Sequence, residues 1–426
     1  MRTTMLVKSL AILTLGCASA GWSAERPSAI ESLTLGQAID LAGRQHPELA
    51  EAGARVVAAE GRAQQDAKPS NPELIARIEA APFRGSTTGG ADYLAGVSQS
   101  VPLGNRLSKA REAGQREREQ RSLELEAKWR EVRRRVHGAF ATALYQEKAF
   151  ETQKRIVQTL EGAVRTTKAR VDAGDAIPED LARVEMELVR EKTELQRTES
   201  MRKQAMTALT AAIGDPALAV KSLAGDLDAT FEIPTLESLA ASVSAHPAAA
   251  AANAEVRWQN ARLDLAKAQR IPDVKVELLY RRIEGQKQDA FDLGLGIPLP
   301  LFDRNQGRLR EVRADMQASE ARARATQNEL SRQANEAHTR LTAALAASRT
   351  MKTELLPRAE IVLKAAEARY AGGDIGLTEV LPVRRDWAAA QLAYQETLRE
   401  LMHAWADVQS FLARNQTQQA FVVPPH

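Results

Sequence analysis

The feature that most constrains this chain is that it is built twice. His46-Pro47, in LAGRQHPELAEAGARVVAAEGRAQQ, returns 200 residues later as His246-Pro247 in LAASVSAHPAAAAANAEVRWQNARLDLAKAQ. Each pair follows a Leu-containing helical stretch and precedes an Ala-rich one. Val101-Pro102-Leu103 ahead of Asn105-Arg106 is matched by Leu299-Pro300-Leu301 ahead of Asp303-Arg304. Arg170 with Ala173-Gly174-Asp175 is matched by Arg369 with Gly372-Gly373-Asp374. Landmarks that keep their order and spacing mark a duplication, so the fold must be one that a half-chain unit of about 200 residues can build. The expected repeats are 21–225 and 226–426, together filling the 426-residue chain after its first twenty residues.

Each unit reads as a helix, two short strands and a long helical hairpin. The strands are expected at about 73–81 and 92–102 in the first repeat and about 273–282 and 291–299 in the second. Their signal is alternation of period two. Leu74, Ala76, Ile78 and Ala80 oppose Arg77 and Glu79; Tyr93, Ala95, Val97 and Val101 oppose Gly96, Ser98 and Ser100. Val274, Val276, Leu278 and Tyr280 oppose Lys275, Glu277 and Arg281; Phe291, Leu293, Leu295 and Ile297 oppose Asp292, Gly294 and Gly296. One face is apolar and the other wet, over runs near the length of a tilted membrane strand. A hairpin sheet over a soluble core has the same pattern. Four strands cannot close a barrel alone, and a barrel in lipid has no free edge, so a membrane reading requires several chains.

The hairpins are expected at about 105–213 and 303–414. No proline interrupts Asn105 to Val171, about 67 residues or roughly 100 Å of helix at 1.5 Å per residue. Pro357 is expected to kink the second hairpin at most. Leu398, Leu401, Trp405, Val408 and Leu412, and earlier Leu181, Val184, Leu188 and Leu195, recur at coiled-coil spacing.

Composition excludes more than it identifies. Aromatic residues are 4% and charged residues 27%, the balance of long helices rather than of a compact enzyme. The 58 basic and 55 acidic residues are interspersed, which leaves no concentrated field for nucleic acid. Residues 1–20 read as an export signal, with Arg2 and Lys8 around an apolar core, Leu10 to Gly16, and Ala18-Ser19-Ala20 for cleavage. The single cysteine, Cys17, lies inside it; a second reading makes Cys17 a lipidated N-terminus, although Thr14 stands where a lipobox usually has Leu. No catalytic constellation, phosphate loop, cofactor motif or metal-ligand cluster emerges, and His46 and His246 before proline suit a duplicated cap better than a ligand.

The runs IPLPLFDRNQGRLREVRA (Ile297–Ala314) and LAKAQRIPDVKVEL (Leu265–Leu278) resemble the TolC-like outer membrane factors, in the branch that serves cobalt-zinc-cadmium efflux pumps. The first repeat agrees through Leu33–Ala52, Lys68–Leu74 and Ala169–Leu188. The second tip, Gly373 to Asp386, departs from the usual family run, and the first strand-to-helix corner is shorter than its counterpart.

The resemblance implies a mainly α fold with a small β part. Three chains would form a 12-stranded transmembrane barrel continued by a periplasmic α-helical barrel in the outer membrane of a Gram-negative bacterium. It implies a passive duct with no enzymatic activity, partnered by a periplasmic adaptor and a proton-driven inner-membrane transporter of the resistance-nodulation-division type, carrying divalent metal cations. Pro102 and Pro300 would turn strands into helices at the membrane edge. Gly174 and Gly373 would form the adaptor-contact tips, and Asp175 and Asp374 would line the periplasmic aperture or simply cap their turns. The same architecture could export organic toxicants; a periplasmic coiled-coil scaffold is the reading from another class.

Overall fold

The computed structural model describes residues 30–79, 91–228 and 233–412; the export signal with Cys17, Ala80 and the polar loop 84–90 lie outside them. Strand β1 (Ile30–Thr34) leads into α1 (Leu35–Gln45), which starts on a capping box between Thr34 and Gln37. Helix α2 (Pro47–Asp66) follows after a break at His46. Then come β2 (Glu73–Glu79), β3 (Asp92–Val101), α3 (Arg106–Asp172) and α4 (Pro178–Ile213). The second repeat begins with β4 (Val220–Ala224) and continues through α5 (Leu236–Ser244), α6 (Pro247–Ala268), β5 (Val274–Ile283) and β6 (Gln288–Gly296). It ends in α7 (Gln306–Thr350), a π-helical turn at Met351–Leu355, α8 (Leu356–Gly372) and α9 (Leu377–Phe411).

Both histidines cap. His46 Nδ1 accepts the Glu48 amide and His246 Nδ1 accepts the Ala248 amide, each at 3.2 Å, and proline takes the first helical position, where no N–H is needed. One expected alignment is corrected. Asn105 and Asn305 occupy the same left-handed conformation, φ 58° and 59°, immediately before α3 and α7, so Asn105 corresponds to Asn305 rather than to Asp303. Asparagine tolerates this region better than most residues, which explains its use at both corners.

The two repeats meet in both sheets and in a shared core. Strands β1 and β4, which the alternation did not reveal, pair in parallel, with Leu33 opposite Leu223. The four longer strands form one antiparallel sheet in the order β2-β3-β5-β6, joined across the repeats by β3 and β5 with Val97 opposite Leu278. The main core draws on both halves: Leu33, Val136, Leu209, Leu239, Leu341 and Leu401 are all buried in it.

Helix α3 has 67 residues and so runs roughly 100 Å. Its partner in the second repeat is interrupted, because Pro357 cannot donate to the turn before it. The amide of Leu356 instead reaches Met351 O, five residues back, and a π turn rather than a simple kink absorbs the mismatch.

Candidate functional site: the two-faced sheet and the hairpin tips

Along the sheet, register aligns like with like. Leu74, Val97, Leu278 and Leu293 form one cross-strand row; Ala76, Ala95, Tyr280 and Phe291 form the next on the same face. These side chains are left open: Leu74 is 86% exposed, Phe291 78% and Leu293 72%. A band of that kind, with nothing over it, is a surface made for an apolar partner. The band stops at one end where Arg282 and Tyr280 both bind Asp289, at 2.8 and 2.7 Å.

The opposite face carries charge. Arg281 reaches three carboxylates across the strands: Asp292 at 2.8 Å, Asp92 at 3.0 Å and Glu79 at 3.2 Å. Lys275 lies 3.3 Å from Glu277 and 3.5 Å from Glu73. Alternation places both chemistries on the same strands, back to back. The outer strands, β2 and β6, each pair on one side only, so two edges carry open ladder groups. At the centre, β3 and β5 approach so closely that a Cβ on Gly96 would stand 2.0 Å from Leu278 O, which is why that position has no side chain.

The corners that turn sheet into helix differ between repeats. Pro102 directly follows the last residue of β3, and Leu103 O accepts the Arg106 amide across Gly104-Asn105. In the second repeat the strand expected at about 291–299 runs from Gln288 to Gly296 and stops before two prolines, Pro298 and Pro300. Pro298 stands nearer the strand end than Pro300, and Pro300 is centred in a tight turn closed by the Leu301 amide on Leu299 O at 2.8 Å. Arg106 pairs with Asp273 at 2.7 Å, which fixes the start of α3 to the foot of β5.

At the far end both hairpins reverse through the same hydrogen bonds. The Asp175 amide donates to Arg170 O at 2.8 Å and the Asp374 amide to Arg369 O at 2.9 Å, with Gly174 and Gly373 left-handed at φ 81° and 84°. Asp175 and Asp374 are exposed. Behind these turns the hairpins pack together: Leu160 and Val184 meet Leu377 and Leu381, and Arg385 reaches Glu187 at 3.1 Å. A groove of about 750 Å³ runs between the hairpins, with Ile156, Leu381 and Trp387 among its apolar walls and Glu191 and Glu367 among its acidic ones. Sequence reasoning missed the Glu187–Arg385 link and this groove, since only tertiary packing brings residues 187 and 385 together.

Histidines that stand apart in sequence come together in space. His403 lies against Gly138, beside His137, and shares a hydrogen bond with Thr142 at 2.9 Å. Burial, with His403 and Arg133 nearby, pushes His137 down to about 4. Among the described residues no group of three or more His, Cys, Asp or Glu could hold a metal ion. No helix among them is long and apolar enough to cross a membrane.

A half-open sheet, greasy on one face and charged on the other, is joined to a helix of roughly 100 Å, and these are parts from which a channel wall can be built. A family model, "Outer membrane efflux protein", matches residues 38–215 and 241–414, once per repeat, and the chain belongs to that family. It is 26% identical over 382 residues to the cobalt-zinc-cadmium resistance protein CzcC of Cupriavidus metallidurans, covering 90% of each chain. Among solved structures it resembles the outer membrane protein VceC of Vibrio cholerae, with a TM-score of 0.70, 20% identity and coverage of 88% of this chain and 95% of that one. The outer membrane channel MtrE of Neisseria gonorrhoeae gives a TM-score of 0.70 at 18% identity, covering 88% of each. Family and fold are those of passive outer-membrane channels, not of enzymes.

Proposed function

We propose that three copies of this chain close their sheets edge to edge into a 12-stranded transmembrane barrel in the outer membrane of a Gram-negative bacterium, and that the resulting duct passively exports divalent heavy-metal cations. The observation that carries this reading is the sheet itself. Each copy has one uncovered apolar face, one charged face and two unpaired edges. Lipid tolerates no free edge, and three times four strands gives an even count within the range of outer-membrane barrels. The helical hairpins would continue the barrel as a tunnel through the periplasm. Repeats dividing near 225/226 would supply two strands and one hairpin each.

Heavy-metal cargo is supported by the relative named for cobalt, zinc and cadmium resistance, which matches nearly the whole chain. On this reading the duct does no chemistry. A periplasmic adaptor docks around the tips at Gly174 and Gly373, and a proton-driven inner-membrane transporter supplies the ions. Asp175 and Asp374 line the periplasmic mouth, Pro102 and Pro300 turn the chain at the membrane edge, and Cys17 belongs to the export segment.

A deletion strain challenged with zinc, cobalt, cadmium, nickel and a panel of drugs tests the cargo. Sensitivity to one or more metals, restored by the gene, is the expected result. Sensitivity to drugs alone overturns the metal assignment and leaves a toxicant duct. Fractionation tests the site of action: a heat-resistant trimer in outer membranes is expected, and a soluble monomer returns the chain to a scaffold.

A further inference from the structure

The two open edges of the sheet continue into two edges of the helical wall. Strand β2 is entered from α2, and the start of α2 sits against the end of α4, where a Cβ on Gly214 would stand 2.8 Å from His46 Cα. One edge of the chain therefore runs β2, α2, α4. Strand β6 leads into α7 and α8, which form the other edge. Between these edges α2 packs on α3, α3 on α6 and α6 on α7; nearer the tips α4 packs on α3, α3 on α9 and α9 on α8.

Both edge helices keep an uncharged stripe facing away from their own neighbours. On α4, Val184 and Leu188 turn into the tip core beside Leu160 and Leu381. Round the other side lie Ala182, Met186, Val189, Thr193 and Gln196, spaced alternately by four and three residues, and every one is exposed. Val189 is 65% exposed and Met186 72%. On α8, Ala366 and Tyr370 turn inward. Ile361, Ala365, Ala368 and Gly372 repeat the same spacing on the outer side, all exposed, with Ile361 at 67%. Alternate spacing of four and three is the pattern of a helix seam with a partner. The joint inside the chain is of another kind, since it carries the Glu187–Arg385 ion pair.

The two stripes are level. Glu187, nine residues beyond Pro178 at the start of α4, meets Arg385, eight residues beyond Leu377 at the start of α9, so the two hairpins end in step. Val189 lies eleven residues beyond Pro178, and Ile361 lies eleven before Gly372 at the end of α8. Each is roughly 16 Å from its tip at 1.5 Å per residue. Met186 and Ala365 are likewise level to within one residue. Helix α4 leaves the tip and α8 approaches it, so the two would meet antiparallel. A ring joins each copy to the next through two unlike surfaces, whereas a two-fold dimer sets one surface against itself. Two different stripes on opposite edges suit the ring.

We propose that the α4 stripe of one copy docks against the α8 stripe of the next, an antiparallel seam in which Val189 stands level with Ile361 of the neighbouring copy. The seam rests on the three-chain reading of the sheet and adds to it the surface that joins the helical hairpins. Its occupant is a second copy because each stripe has its level, uncharged counterpart on the other edge of the same chain, and because those edges continue the edges of the sheet.

Cysteine cross-linking in intact cells tests it. The full chain carrying Val189→Cys and Ile361→Cys together is treated with a short bis-maleimide; wild type treated in the same way sets the background. A covalent trimer that survives boiling in detergent is expected, several-fold above either single variant. Pairing Ile361→Cys with Gln204→Cys, on the same stripe but fifteen residues further from the tip than Val189, should give only background. Equal linking by that displaced pair overturns the seam. Dimers from Val189→Cys alone set α4 against α4 and also overturn it, as does a link confined to one chain. A heat-resistant trimer in which Val189→Cys and Ile361→Cys stay unlinked refutes the seam while the three-chain reading stands, and means that another protein or solvent faces the stripes. Absence of any heat-resistant trimer from wild type is the failure of that reading itself, and the seam falls with it. Met186→Cys with Ala365→Cys is the second pair should the first fail to assemble.

Discussion

At the scale of the residue, the same small devices appear twice, and each has a local physical cause. His46 and His246 are caps that work only while their imidazoles are neutral, because Nδ1 must present a lone pair to the amide. Burial, followed by the nearby Arg130, lowers His246 to about 4 from its ordinary 6.5. Between those values the unfolded chain binds the proton more readily than the folded one. The cap therefore contributes its full stability above pH 6.5 and loses it as pH falls toward 4. His246→Asn keeps an acceptor but does not titrate. Denaturation followed by circular dichroism should show wild type losing on the order of 1 kcal/mol more than the variant between pH 7.5 and 5. Equal losses in both proteins would dismiss His246 as the cause. That these histidines cap their helices was legible from their shared position before proline. The left-handed Asn105 and Asn305 were not, because no side-chain pattern reports a backbone sign.

At the scale of the element, alternation and long proline-free runs carried the fold class: mainly helical, with a small two-faced sheet. The short parallel pair β1 and β4 escaped because five residues hold too few alternations to stand out, and because its pairing depends on residues 190 apart. The π turn escaped because proline marks a disruption without specifying how it is accommodated. The tip link between Glu187 and Arg385 is another tertiary fact; surface charge pairs are too common along these helices to single one out. The close approach at Gly96 supports a sharp prediction. Gly96→Ala forces a methyl against Leu278 O and must push β3 from β5, at a cost of at least about 1–3 kcal/mol. The yield of heat-resistant protein in outer membranes should fall severalfold, while Gly294→Ala, whose Cβ would find its nearest atom at an ordinary 3.4 Å, should be tolerated. Normal yield from Gly96→Ala would mean that the sheet flexes more than its register allows.

At the scale of the whole molecule, the three-chain reading gives the exposed carboxylates at the hairpin tips a role in assembly, where three copies would bring Asp374 around one opening. Single-channel recording of Asp374→Ala in planar bilayers should show altered cation conductance or selectivity without loss of the trimer. Unchanged conductance together with unchanged metal resistance would sink the aperture role and leave Asp374 as a turn residue. The two open sheet edges have a consequence for genetics as well. On the three-chain reading no copy can complete its own wall, so subunits made in the same cell are shared at random among assemblies. A variant able to dock at one edge but not the other, when co-expressed equally with wild type, would leave only about one assembly in eight free of damaged subunits. Such alleles should therefore be dominant, whereas alleles that block export of the chain from the cytoplasm should be recessive.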